Sequence, residues 1–189
     1  MSGQDPYLYP DRAVLRNKLG IFDTARLERV ERQLVTQRIA EGVPPGDFDL
    51  AHLQAIHRHL FQDVYDWAGQ VRTVEIAKDG HQFQFRRFIE TGMADVHRRL
   101  RDADFLRGRH RRAFATAASA IIGDLNYVHP FRDGNGRTQL QYLERLAWQA
   151  KHPLALERLS PHGWLAASRA AHHGDYRPMA EEIARAIAR

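Results

Sequence analysis

The chain contains no cysteine, and only Lys18, Lys78 and Lys151 among its 28 basic residues are lysines. Without cysteine there is no disulfide framework, no thiolate zinc site and no cysteine nucleophile, which excludes the small stapled secreted folds. A reducing cytoplasm is the expected location. Long apolar runs are missing too. The longest, from Ala113 to Ile122, stops at Gly123 and Asp124, well short of the roughly 20 residues of a membrane span, and reads as a buried helix. The first twelve residues hold Asp5, Pro6, Pro10 and Asp11, not a basic stretch followed by an apolar one, so no secretory signal is expected. No internal repeat or low-complexity tract appears. The lysine-bearing phosphate loop G-x-x-x-x-G-K-[ST] is absent, which disfavours an ordinary P-loop NTPase.

What is present is arginine. Three lysines leave 25 arginines of 28 basic residues, in a chain of 189 with net charge +5. Arginine suits carboxylate and phosphate recognition. The one dense cluster, Arg107 to Arg112, lacks interleaved aromatics beyond Phe105 and Phe114 and reads as a loop between helices, so nucleic acid is not an expected partner.

The stretch Glu41 to Asp47 (EGVPPGD) divides a lead, residues 1–46, from a body, residues 47–189. In the lead, Asp23 or Thr24 can cap a helix with apolar positions Leu27, Val30, Leu34 and Ile39. In the body, Asp47 or Asp49 can cap a second, whose spacing from Leu50 to Trp67 predicts an amphipathic helix ending before Gly69. Val71 to Phe85 alternates around Lys78, Asp79 and Gly80, and Asp-Gly is a hairpin turn signal. Helical spacing returns at Phe88 to Leu100, Phe114 to Val128 and Gly136 to Ala150. Ser160-Pro161 opens a further helix, and Met179 to Ala188 gives the last. The fold class is all-α, a helical bundle with one projecting β-hairpin.

The chemistry is concentrated in His129 to Arg137, HPFRDGNGR. Pro130 disfavours helix at His129, so the chain turns there and the imidazole can face a cleft, with Phe131 as anchor. Gly134, Asn135 and Gly136 permit positive-φ backbone just before a helix, so amides can converge on an anion at the positive end of its dipole. Asp133 offers hard oxygens for one Mg²⁺, and Arg137 can neutralise a further phosphate. A base, an anion cradle, a metal ligand and an arginine within nine residues make phosphate-transfer chemistry coherent.

This segment resembles the Fic signature, H-P-F-x-[DE]-G-N-G-R, at every specified position. The likeness extends to Asp5-Pro6-Tyr7 and Asn17 to Ile21 in the lead, to Phe48 to Gln70 with its Trp67-Ala68-Gly69, and to Gly174 to Pro178. The resemblance implies the Fic fold, a helical bundle with a β-hairpin flap. It implies transfer of AMP from ATP, with Mg²⁺, to a Tyr, Ser or Thr hydroxyl of a target protein. In that reading His129 is the general base, and Asp133 holds Mg²⁺. Arg132, Gly134, Asn135, Gly136 and Arg137 bind the nucleotide. The flap residues Lys78, Asp79, Gly80, His81, Gln82 and Phe83 register an extended target segment. Transfer of UMP or phosphate, and a non-catalytic nucleotide- or peptide-binding module, are the alternatives.

Fic enzymes often carry a second arginine where this chain has Leu140, whose spacing with Leu143 and Ala147 also fits a core position. Self-inhibited Fic proteins resemble one another in a helix with [ST]-x-x-x-E-[GN], and no Ser or Thr here begins one. The expectation is a toxin held by a separate small antitoxin that supplies the glutamate, docking near Asp5 to Arg38. The ATPase subunits of type II topoisomerases are an implied target class. The histidines at 52, 57, 59, 172 and 173 lack zinc-site spacing, and no zinc is expected.

Overall fold

The computed structural model describes residues 5–78 and 80–188. Its helices begin where short polar side chains can take up the first free amides. Asp23 accepts from the Arg26 N–H at 2.7 Å and opens α1 (Thr24–Ala40). Asp49 accepts from the His52 N–H at 2.8 Å and opens α2 (Leu50–Phe61). Ser160 accepts from the Gly163 N–H at 3.1 Å, with Pro161 as the first residue of α6 (Pro161–His172).

Between them come the hairpin strands β1 (Ala77–Lys78) and β2 (His81–Gln82), then α3 (Ile89–Asp102), α4 (Arg111–Val128) and α5 (Asn135–Gln149); α7 (Arg177–Ala186) closes the chain. The central helix is α4, which packs against α3, α5, α6 and α7. It can do so because it is apolar on more than one side: Phe114, Ala118, Ile122 and Leu125 are fully buried, and Ser119 and Gly123 are buried with them. A helix buried on several faces is fixed in rotation, and so is the direction in which the chain leaves it at His129. None of the helices among the described residues is long and apolar enough to cross a membrane.

Two elements differ from their sequence patterns. Helix α2 ends at Phe61, six residues before Trp67, and the amides of Val64 and Tyr65 both return to the Phe61 carbonyl. The apolar spacing nevertheless runs on, because turns can bury side chains as regularly as a helix does. Val64 is buried, and Tyr65 stacks on Trp67 with ring centroids 4.3 Å apart. The hairpin is far shorter than Val71 to Phe85. Among the described residues, strand pairing joins only Ala77 to Gln82 and Lys78 to His81, and Gly80 before β2 has φ 80°. Asp79 lies outside the described residues. The Phe83 N–H still donates across the hairpin to the Ile76 carbonyl at 3.2 Å, but further out the amides are used elsewhere: Arg72 N–H donates to the Pro130 carbonyl and Gln84 N–H to that of Tyr127.

The lead is woven into the body. Tyr7, Val14, Ile21, Leu27 and Val35 share one hydrophobic core with the helices that follow. Tyr7 meets the Trp67 ring edge-on at 5.4 Å.

Candidate active site

Helix α4 stops because His129 adopts a left-handed conformation, φ 47° and ψ 62°, immediately before Pro130. A non-glycine residue held there is uncommon and marks a position over-determined by its surroundings. The loop that follows is braced from inside. Phe131 is fully buried and stacks on His57 at 3.9 Å. The Asn135 carboxamide closes the loop by accepting from the Phe131 N–H at 3.0 Å and donating to the Phe131 carbonyl at 2.8 Å. His57 accepts from the Gly69 N–H at 2.8 Å through Nδ1, so its Nε2–H donates to the Asp133 carbonyl at 3.0 Å. Burial pushes this ring down to about 4, and it stays neutral at ordinary pH.

Gly134 has φ 77°, and a Cβ there would lie 2.5 Å from the Phe61 ring and 3.2 Å from His57 Nε2. Gly134→Ala combines a strained backbone with overpacking, and we expect a loss of about 3 kcal/mol, roughly 10 °C in Tm. A thermal melt checks the first part. Isothermal titration with a nucleotide checks that the cradle is lost with it.

The His129 ring is fixed on two sides. Its Nδ1–H donates to the Asn126 carbonyl at 2.9 Å, and its face stacks on Phe83 of the flap at 3.7 Å and 16°. That tautomer leaves Nε2 with a lone pair. Burial, the largest cause, together with the positive charges of Arg72 and Lys78, outweighs the Asn126 carbonyl and Asp133 and pushes His129 down to about 4.

The ring borders a cavity of 570 Å³. One wall is the loop and first turn of α5, Asp133 to Arg137. The flap contributes Lys78, His81 and Phe83, and the apolar lining comes from Leu140 of α5 and from Leu159, Trp164 and Leu165. A concave, mostly apolar site with a few convergent polar groups is what a small-molecule ligand requires.

The sequence model of the Fic/DOC family matches residues 47–147. The chain belongs to that family. It is 40% identical to the probable protein adenylyltransferase y4lH of Sinorhizobium fredii over 97% of this chain and 96% of that one. It is 38% identical to the protein adenylyltransferase VbhT of Bartonella schoenbuchensis, over 90% of this chain and 36% of that longer protein. Among solved structures, BepC of Bartonella tribocorum with bound AMPPNP superposes with a TM-score of 0.85 at 26% identity, covering 94% of each chain. A Fic domain of Bartonella quintana with bound ADP gives 0.86 at 27%, covering 94% of this chain and 92% of that one.

Within this Fic/DOC site the expected residues are not all on the cavity. Arg132 is turned away from it, with Nε donating to Asp5 Oδ2 at 2.8 Å. It ties the lead to the loop, and the expectation that it binds nucleotide is corrected accordingly. Gln82 faces outward, donating to the carbonyls of Ile76 and Phe83, while Gly80 sits at the hairpin turn. The Gly134 amide donates to Asp133 Oδ1 at 2.6 Å, so the amides left for an anion are those of Asn135, Gly136 and Arg137. Asp133 Oδ2 is the carboxylate oxygen left for a cation. No group of three metal-ligating side chains occurs among the described residues. Leu140 is half-buried and lines the cavity.

The Fic/DOC site also holds residues that the sequence pattern did not single out. Glu31 of α1, its side chain only 8% exposed, meets Arg137 Nη1 at 2.5 Å and accepts the Tyr65 O–H. A glutamate thus rests on the signature arginine although the chain lacks the [ST]-x-x-x-E-[GN] pattern. Arg137 also lies over the Phe61 ring at 4.6 Å. It commits one of its five N–H donors to Glu31. The available signal was Glu31's place between Leu27 and Val35 on the buried stripe of α1.

Proposed function

We propose that this protein transfers AMP from ATP to a hydroxyl side chain of a target protein. The observation that carries the reading is the His129 ring. Its Nδ1–H is tied to Asn126, so Nε2 is an available base, and it borders the same cavity as the first-turn amides of α5. The naming of relatives along nearly the whole chain as protein adenylyltransferases supports it, as does the binding of AMPPNP by a protein of the same fold.

In this reading the target hydroxyl gives its proton to His129 Nε2 as its oxygen attacks the α-phosphorus. The bond to the β-phosphate breaks and pyrophosphate leaves. The amides of Asn135, Gly136 and Arg137, at the positive end of α5, hold phosphate oxygens. The Arg137 side chain adds a charged donor from a direction fixed by Glu31 and Phe61. Asn135 acts through the loop it closes. Asp133 is the residue that would hold Mg²⁺, a hard cation suited to one or two carboxylates, and the ion would supply neutralisation of phosphate charge. Lys78, His81 and Phe83 form the target-facing side, and the target main chain would pair along the flap.

The division into a lead, residues 1–46, and a Fic domain, residues 47–189, belongs to the same reading. So does a toxin acting in the cytoplasm and restrained by a separate antitoxin. The absence of the self-inhibitory sequence pattern and of cysteine supports these two points. A second reading, transfer of another phosphate-containing group, follows from a cradle that meets phosphates more directly than the nucleobase, and Leu140, apolar where this family often carries a cation, favours a non-catalytic binding module.

Incubation with Mg²⁺, a bacterial lysate and either α- or γ-labelled ATP decides between them. The expected result is α label that the His129→Ala variant does not give. γ label lost in that variant would show phosphate transfer, label from α-labelled UTP in its place would show UMP transfer, and no His129-dependent label from any of them, with nucleotide still bound, would sink the enzymatic reading. Type II topoisomerase ATPase subunits are the first purified targets to add.

A further inference from the structure

We propose that Arg72 is a positioning residue that fastens the target-facing flap to the loop carrying His129, so that base and flap move as one piece. The inference rests on the reading of His129 as the base.

The Arg72 side chain is completely buried. Its Nε donates to the His129 carbonyl at 2.9 Å and its Nη1 to the Val74 carbonyl at 2.7 Å, and Nη2 donates to the Gln84 carbonyl. Its own backbone N–H donates to the Pro130 carbonyl at 2.9 Å. One guanidinium therefore joins the segment entering the hairpin, the segment leaving it and the turn at the end of α4. The one carboxylate paired with it among the described residues, Glu75, is 3.4 Å away, is 43% exposed and also accepts the Arg86 N–H. That pair is too loose to be the reason for burying a cation, since a buried ion is favourable only when its donors are fully used. What the planar fork supplies is donors held rigidly apart on three nitrogens, so that one side chain reaches three well-separated carbonyls, where a lysine offers three donors on a single atom.

The three carbonyls have a common destination. Phe83, adjacent to Gln84, stacks on the His129 ring, and the Gln84 amide donates to the Tyr127 carbonyl at 3.0 Å. A change in the flap thus reaches the imidazole through both the stacked ring and the shared guanidinium. By contrast, the anion-binding turn is braced by Asn135 and His57, with no bond to Arg72.

Amide hydrogen exchange on the full chain tests the coupling without requiring activity. In the wild type, the Gln84 and His129 amides should open with the same denaturant dependence. In Arg72→Met, which keeps an unbranched side chain, both should exchange at least about tenfold faster, with α2 unchanged. Kinetics supply the second arm. Arg72→Met should lower kcat and raise KM for the target by about tenfold each, while nucleotide affinity stays within about twofold. Arg72→Lys, which can reach fewer carbonyls, should fall between. Separate opening of the two segments in the wild type, faster exchange in one alone, or nucleotide affinity falling in step with target KM would overturn the proposal. A wild type that moves no AMP but whose segments open together would overturn the reaction and leave the coupling standing. If Arg72→Met does not fold, the wild-type exchange and Arg72→Lys decide.

Discussion

Replacing His129 by alanine is expected to lower AMP transfer by about 10²- to 10⁴-fold, the usual contribution of a general base. Nucleotide affinity should stay within about twofold, because the substitution removes a proton acceptor and not a phosphate contact. The imidazole touches Asn126 and Phe83, whereas the anion-binding turn is held by Asn135, Phe131 and His57. The backbone at 129 is left-handed with histidine already in place, so alanine introduces no new requirement there. Steady-state transfer of α-labelled AMP and calorimetric titration with a non-hydrolysable analogue measure the two halves. Full transfer by the variant would remove His129 from the reaction.

The fold should also be sensitive to mild acid. Burial holds both His57 and His129 at about 4 in the folded chain, against roughly 6.5 when unfolded. Between those values the unfolded chain binds more protons than the folded one, so stability rises with pH across the window. The contribution is complete above about pH 6.5 and is lost as the pH falls toward 4. A shift of this size is worth about 3 kcal/mol per ring, a large share of the roughly 5–15 kcal/mol of an ordinary domain. Urea midpoints should hold level from pH 7.5 to about pH 6.5 and then drop steadily down to pH 4.5. His129→Ala should show a smaller decline than the wild type, the remainder being carried by His57 and by His52 and His172, which burial also pushes down. A flat profile would mean that neither imidazole is held neutral.

Much of the helical framework could be read from the chain because the signals are local. Asp23, Asp49 and Ser160 each cap the helix expected of them. The core of the site was legible for a similar reason: His129, Asp133 and the cradle lie within nine consecutive residues. What escaped notice depends on distance along the chain. Glu31 reaches Arg137 across 106 positions, and Arg72 reaches His129 across 57; neither glutamate nor arginine is unusual enough alone to announce such a partner. The direction of Arg132 depended on Asp5, 127 positions away. The flap was overestimated because alternation reports which side chains are covered, not where the intervening amides find their acceptors. Coverage also continues past the end of helical hydrogen bonding in α2, where buried side chains run on to Trp67 although the helix stops at Phe61.

The family match begins at residue 47, yet five side chains from before it lie in the common core, and Glu31 stands beneath the signature arginine. The edge of detectable kinship is therefore not an edge of the packed interior. A shortened chain beginning at that point would present Tyr65 and Arg137 without their shared carboxylate, so any activity it gained or lost would report on a rebuilt wall as much as on a removed restraint.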